Sequence, residues 1–315
     1  MTSVKPVDRD APSSSLPTPR SPSRLTYHPP MALTDVHDWF ADLGGGTRVA
    51  LVVAGTFRSD AGVLLGHVPR PTWLPLVRDE IDAANRLRQA LNCLLVETPA
   101  GRVLVETGIG ERLSEKMRNL RGVEGPPILE ALRAARFAPE SIDWVALSHL
   151  HFDHAGGLLD RDGRPAFPGA RIVAQLAEWR IALDDNPRIV ASYDQPELRL
   201  VAPFAEAHAA DGERELVPGV VVVPTGGHTA GHQAVVVRGR TGTVAFFGDL
   251  CMRPWSVQPT WLPSFDDFPI DSVEIKMDLF RRAVEENWRI VLSHEPERPI
   301  GRIRRRGDGF EYVPD

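Results

Sequence analysis

The chain has 315 residues, 43% of them apolar, and carries 36 Lys and Arg against 42 Asp and Glu, a net charge of −6. That composition excludes a fibre, a collagen-like chain and a disulfide-stapled secreted module, and the mild acidity supplies no basic face for nucleic acid. Its two cysteines, Cys93 and Cys251, are far apart and read as buried thiols in a reducing, cytoplasmic setting.

Residues 1–30 hold seven Pro and six Ser with almost no apolar periodicity, which predicts a disordered tail. The tail lacks the apolar core of a secretory signal. With four basic and two acidic residues in it, the remainder, 31–315, carries −8 and is expected to be one folded domain. Strand-like runs begin at Val49–Ala54. Asn92–Glu97 and Arg102–Glu106 follow, joined by the turn Thr98-Pro99-Ala100-Gly101, which predicts a hairpin. Ile128, Leu129, Leu132 and Ala135 recur at helical spacing after Pro126-Pro127. Trp144–Leu147 reads as a short buried strand and Gln175–Leu183 as a helix. The theme then repeats: strands at Val220–Val223, Ala234–Val237 and Thr243–Phe247, a helix at Ile270–Asn287 and a strand at Ile290–Leu292. The arginines at 302, 304, 305 and 306 read as a solvated terminal charge run. Strands, helix and strands, twice over, predict two mixed sheets with helices outside, an α/β (α+β) sandwich. No run of 18 apolar residues occurs, so neither a membrane-spanning helix nor a membrane partner is expected.

Function is written in the histidines. Ser148-His149-Leu150-His151-Phe152-Asp153-His154-Ala155-Gly156-Gly157 puts four ligand-type side chains within six residues at a predicted strand end. Imidazole nitrogens and carboxylate oxygens are the groups that bind zinc and related divalent ions. On an extended segment His149 and His151 point the same way, and a turn after His151 brings Asp153 and His154 to a neighbouring point. Three more candidates each follow a predicted strand: His228 in Gly226-Gly227-His228-Thr229-Ala230-Gly231-His232, Asp249 in Gly248-Asp249, and His294 in Ser293-His294-Glu295. Singly each is ordinary; with the first string they form a set.

In order and strand context, this set resembles the metallo-β-lactamase superfamily from about residue 48 to about residue 300. The resemblance implies an αββα sandwich with a metal site at one edge, between the sheets. It implies that His149, His151 and His228 hold one metal, that Asp153, His154 and His294 hold a second, and that Asp249 bridges both. His232 matches a family histidine outside the metal shell. Glu106 stands where the family usually has Asp and is expected to hydrogen-bond a ligand imidazole. The implied cofactors are two divalent ions, zinc foremost, with manganese, iron, cobalt and nickel also suited to these ligands.

Within the superfamily, the common zinc β-lactamases use Cys where this chain has Asp249. Glyoxalase II enzymes add a C-terminal helical region, and only 21 residues follow His294. Leu91–Glu97, Val105–Gly110, Gly66–Arg70 and Asp266-Asp267-Phe268-Pro269 are similar to the branch of YtnP-like quorum-quenching lactonases and methyl-parathion-type hydrolases. The implied activity is hydrolysis of a small ester, a lactone of the N-acyl-homoserine type foremost, by a hydroxide bridging two metals, with Asp153 or Asp249 moving the proton. The alternatives are phosphotriester hydrolysis on the same metals, a persulfide dioxygenase with one iron, and a non-catalytic metal-dependent sensor. The expected partner is a small ester or lactone, and a homodimer is compatible with the sequence. Lactonase-like members often carry a Tyr or His in the loop after the Gly-Asp; here residues 251–258 hold neither. Arg253 is therefore the side-chain candidate for an oxyanion contact. Trp255 and Phe265, with Trp73, Phe152, Met252 and Trp261, are candidates for an apolar mouth.

Overall fold

The computed structural model describes residues 39–208 and 213–315; the tail expected over residues 1–30 lies outside them. Among the described residues, fourteen strands form two seven-stranded sheets. The first sheet holds, side by side in chain order, β1 (Trp39–Asp42), β2 (Arg48–Asp60), β3 (Arg86–Thr98), β4 (Gly101–Val105), β5 (Trp144–Ala146), β6 (Arg171–Gln175) and β7 (Glu206–His208). The second holds β8 (Arg214–Val217), β9 (Val220–Pro224), β10 (Gln233–Arg238), β11 (Thr243–Phe246), β12 (Arg289–Val291), β13 (Ile300–Arg306) and β14 (Gly309–Pro314). The pairs β4–β5, β5–β6, β6–β7 and β11–β12 are parallel, and the other neighbours are antiparallel. The helices are α1 (Ala61–Leu65), α2 (Arg70–Val77), α3 (Glu115–Arg121), α4 (Ile128–Ala134), α5 (Phe152–Ala155), α6 (Leu176–Ala182), α7 (Pro187–Val190), α8 (Gln195–Val201) and α9 (Pro269–Glu285).

Strand alternation builds the layers, because successive side chains leave a strand on opposite faces. Leu94 and Val96 of β3 meet Val220, Val222, Val235 and Val237 of the second sheet in an apolar layer between the sheets. Cys93 and Leu95, one residue out of step, face the other way, toward Leu129 and Leu132 of α4 and Leu198 of α8. On the far side, Val236 and Ala245 pack on Phe280 and Ala283 of α9. Each fully buried aliphatic or aromatic side chain in these layers is worth about 1.5–3 kcal/mol. The order is helix, sheet, sheet, helix, and both cysteines are free and buried, as the sequence predicts. No helix among the described residues is long and apolar enough to cross a membrane.

The Thr98–Gly101 hairpin joins β3 to β4 with Thr98 opposite Gly101. Two expectations change. The strand read as ending at Ala54 continues to Asp60 through a bulge between Val53 and Thr56. The arginine run is not a loose terminus: it forms β13, hydrogen-bonded to β14, because Ile303 and Phe310 are buried against the α9 face while Arg304, Arg305 and Arg306 stay in water.

Candidate metal centre

The chain leaves β5 extended and turns at His151, the residue that caps the start of α5 (φ −60°, ψ 154°). The turn expected after His151 is this helix start. It leaves His149 and His151 on the extended stretch and swings Asp153 and His154 round in the first helical turn. The ring centroids of His151, His154 and His228 lie 4.3, 4.1 and 4.7 Å from that of His149. His228 arrives on the loop after β9, Asp249 on the turn after β11, and His294 just past β12.

These seven residues, drawn from four strand ends, form one buried cluster. Ligand-type atoms of His149, His151 and His228 lie within 4.8 Å of one another; so do those of His149, His154 and Asp249, and those of Asp153, His154 and His294. Asp249 faces both halves. Its Oδ1 is 3.2 Å from His154 Nε2 and 3.0 Å from His294 Nε2, and its Oδ2 is 3.6 Å from His228 Nε2. Asp153 Oδ2 stands 3.7 Å from His294 Nε2 and 3.9 Å from His154 Nε2.

Three of the imidazoles, those of His294, His228 and His149, have a ring nitrogen tied down by a neighbour outside the cluster. His294 Nδ1 donates to the Ala90 carbonyl at 2.8 Å, so its Nε2 lone pair faces the cluster. His228 Nδ1 donates to Asp266 Oδ1 at 2.7 Å, with the same consequence. Ser148 Oγ pairs with His149 Nδ1 at 2.9 Å. Glu106 Oε1 accepts from the Ser148 N–H at 2.8 Å, and its Oε2 lies 3.3 Å from His154 Nδ1. Glu106 sits at φ +66°, a conformation that costs a non-glycine residue about 1 kcal/mol or more and that gathers at functional sites. His232 is buried beside the cluster, its Nδ1 2.6 Å from Thr225 Oγ1, and belongs to none of the three ligand groups.

The electrostatics are those of a site built for cations. Burial, then the neighbouring imidazoles, hold His149 and His151 well below the usual histidine range. Burial opposes the charge on Asp249, yet His154 and His294 hold its carboxyl well below the usual range. Nε2 of His149 is buried with no hydrogen-bond partner, a cost of about 1–3 kcal/mol that a protein rarely leaves uncompensated. Burial opposes a charge on His154 and His228, but Asp249, Asp153 and Glu106 around the first and Asp266 beside the second raise both above the usual histidine range. Imidazoles packed against carboxylates, with a buried Nε2 left without a partner, are a donor set that fits divalent metal ions.

The wall residues divide. Phe265 packs edge-on to His228, with ring centroids 5.5 Å apart, and lines a cavity of about 150 Å³ shared with His151, Arg188, Tyr193 and Asp267. Trp255 is instead part of the core under α1 and α2, with Trp73 and Met252, so it does not form the mouth. Arg253 is also displaced from its expected role. Its buried guanidinium donates to the Arg88 carbonyl at 2.8 Å, pairs with Glu80 and lies 3.0 Å from Glu295 Oε2. These partners fasten it as a strut behind His294, away from an oxyanion. Sequence reasoning assigned no role to Asp266, Ser148, Glu178 or Arg121, whose Cζ stacks 3.6 Å over the Phe152 ring. Asp266 lies in the Asp266-Asp267-Phe268-Pro269 segment and Ser148 opens the histidine string, but neither was given a role; Glu178 and Arg121 carried no signal, since a lone Glu or Arg is ordinary in any segment.

A family model described as the metallo-beta-lactamase superfamily matches residues 88–274. An N-acyl homoserine lactonase of Bacillus cereus is 30% identical over 173 residues, which is 51% of this chain and 63% of that protein. The chain therefore spans somewhat under two thirds of that relative's length. Among solved structures, a probable metal-dependent hydrolase from Staphylococcus aureus superposes with a TM-score of 0.78 at 24% identity, over 87% of this chain and 99% of that one. AidC, a dizinc quorum-quenching lactonase in complex with a product N-hexanoyl-L-homoserine, gives a TM-score of 0.74 at 22% identity, over 87% and 96%.

Proposed function

The chain belongs to the metallo-beta-lactamase superfamily, and from that premise we propose that it is a dinuclear metal-dependent hydrolase of small esters, with N-acyl-homoserine-type lactones as the substrate class. The observation that carries the proposal is the convergence of seven buried His and Asp side chains with Asp249 turned toward both halves of the cluster. The lactone follows from the resemblance to lactonases in sequence and in fold. When bound, two divalent ions supply Lewis acidity and lower the pKa of water from ~15.7 toward 7.

The chain's own residues do the rest. His149, His151 and His228 form one binding half; Asp153, His154 and His294 form the other; Asp249 spans them. Asp153 is the most exposed residue of the ligand set, at 8% against 6% for His151 and 5% or less for the others. It is thus best placed to take a proton from water and pass it to a leaving alkoxide. Phe265 and the cavity beside His151 offer an acyl group an apolar wall. A phosphotriester would present a phosphoryl oxygen to the same centre, and the substrate panel separates the two.

The test is hydrolysis of an N-acyl-homoserine lactone and an aryl phosphotriester by wild type and His149→Ala, with metal content measured on the same samples. The expected result is metal-dependent lactone opening that falls by at least about 10³-fold in the variant with the fold retained. Equal activity in the two proteins contradicts the proposal.

A further inference from the structure

Glu178, on α6, is fully buried and belongs to no ligand group, yet its carboxylate lies at the crossing of three segments that build the site. Oε1 accepts from the Leu150 N–H and from the Tyr193 hydroxyl, both at 2.9 Å. Oε2 accepts from Thr229 Oγ1 at 2.5 Å and from the Gly231 N–H at 3.2 Å. Leu150 sits between His149 and His151; Thr229 adjoins His228; the Tyr193 ring lies 4.7 Å from that of His151. All four contacts are donors, so both oxygens must act as acceptors only, which an ionised carboxylate does and a carboxamide cannot. The approach is close enough that a Cβ on Gly231 would fall 2.1 Å from the Glu178 nitrogen, so glycine alone fits there. Burial pushes the Glu178 carboxyl up, against the hydrogen bonds from Thr229, Leu150 and Tyr193. An acid kept ionised in such a place must be held by its donors.

We propose that Glu178 is a positioning residue that sets the spacing between the two ligand loops, holding His149, His151 and His228 as a preformed metal site. The proposal rests on the metal reading given above. Replacing one acceptor oxygen by an NH₂ group turns either the Leu150 and Tyr193 side or the Thr229 and Gly231 side from attraction to repulsion. The loop on that side must then move, and the three imidazoles lose their common focus.

The experiment is competition for zinc between the full chain and a chromogenic chelator, together with the visible spectrum of the cobalt-substituted protein. Glu178→Gln is expected to bind zinc about 10- to 100-fold more weakly, the range for residues that orient metal ligands, and to shift the cobalt bands. Glu178→Asp, which keeps the charge, should recover part of the loss. Ile303→Ala, in the α9 layer of the second sheet, is the control for general destabilisation and should leave zinc affinity within about twofold. If Glu178→Gln does not fold, Thr229→Val removes a single donor and should weaken zinc binding several-fold. Unchanged zinc affinity and cobalt spectrum in the folded Glu178 variants, or in Thr229→Val, overturns the proposal. So does an equal loss in Ile303→Ala. Wild-type protein that binds no zinc or cobalt overturns the metal reading itself.

Discussion

Asp266 lies 38 residues beyond His228 in the chain, yet its Oδ1 accepts from His228 Nδ1 at 2.7 Å with both side chains buried. That contact fixes the imidazole tautomer and makes the ring a stronger donor toward the cluster. Asp266→Ala should therefore weaken metal binding about 10- to 100-fold, measured by the same zinc competition, while Asp266→Asn, which keeps an acceptor oxygen, should lose less. Equal affinity in all three proteins would remove Asp266 from the account. The ligand-type residues themselves were legible because each stands in a short string after an apolar run. Their supports were not. Asp266 and Glu178 meet their partners only through the fold, and Ser148, though next to His149 in the chain, carries no local mark that its hydroxyl turns to that ring. Arg253 misled for the converse reason: its place after Asp249 suggested the site, but Glu80, Glu295 and the Arg88 carbonyl, all remote or unremarkable in sequence, hold it elsewhere.

At the scale of elements, the chain after α5 is pressed against the segment that follows β4. Thr107 donates both N–H and Oγ–H to the His154 carbonyl, at 2.9 and 2.8 Å, and its Oγ1 accepts from the Gly157 N–H at 3.2 Å. A Cβ on Gly157 would fall 2.3 Å from the Thr107 carbonyl oxygen and 2.8 Å from Ile128 Cγ2. Gly157→Ala should thus cost about 1–3 kcal/mol of overpacking strain and weaken metal binding by moving His154. Thermal unfolding and zinc competition would check both, and a stable variant with full affinity would contradict this reading of the loop.

The helix α9 carries a second element-scale consequence. Lys276 is buried, donates to the carbonyls of Trp261 and Gln258 at 3.1 and 3.4 Å, and is pushed down to about 8 by burial, with Cys251 and Asp266 opposing the shift. A folded pKa below the unfolded value of about 10.5 means that the unfolded chain binds the proton more tightly. The penalty is complete below pH 8 and is relieved as pH rises toward 10.5. Stability of wild type relative to Lys276→Met should rise by about 2–3 kcal/mol between pH 7 and pH 10; a flat difference in denaturant titrations would contradict it. The long apolar strands and α9 itself were legible from periodicity. The short elements β1, α1 and α2 were not, and β13 was hidden because its exposed arginines outnumber its one buried side chain, Ile303, with Gly301 also buried.

For the molecule as a whole, the architecture follows from which faces are apolar. The strands of both sheets carry one valine- and leucine-rich face each, and joining them leaves two outer faces for α4, α6 and α8 on one side and α9 on the other. The two mixed sheets were legible from that patterning. The pairing order was not, because β4–β5 and β11–β12 are parallel and each is joined through a long excursion that no local signal fixes. This architecture gathers strand ends from both sheets at one buried point, which on the function proposed above would hold two metal ions. The most direct test is the metal stoichiometry of purified full-length protein after loading with zinc and desalting. About two zinc ions per chain are expected in wild type, and fewer in His149→Ala and in His294→Ala, with both variants folded. A wild-type chain that retains no zinc, or variants that retain the same two ions, would contradict it.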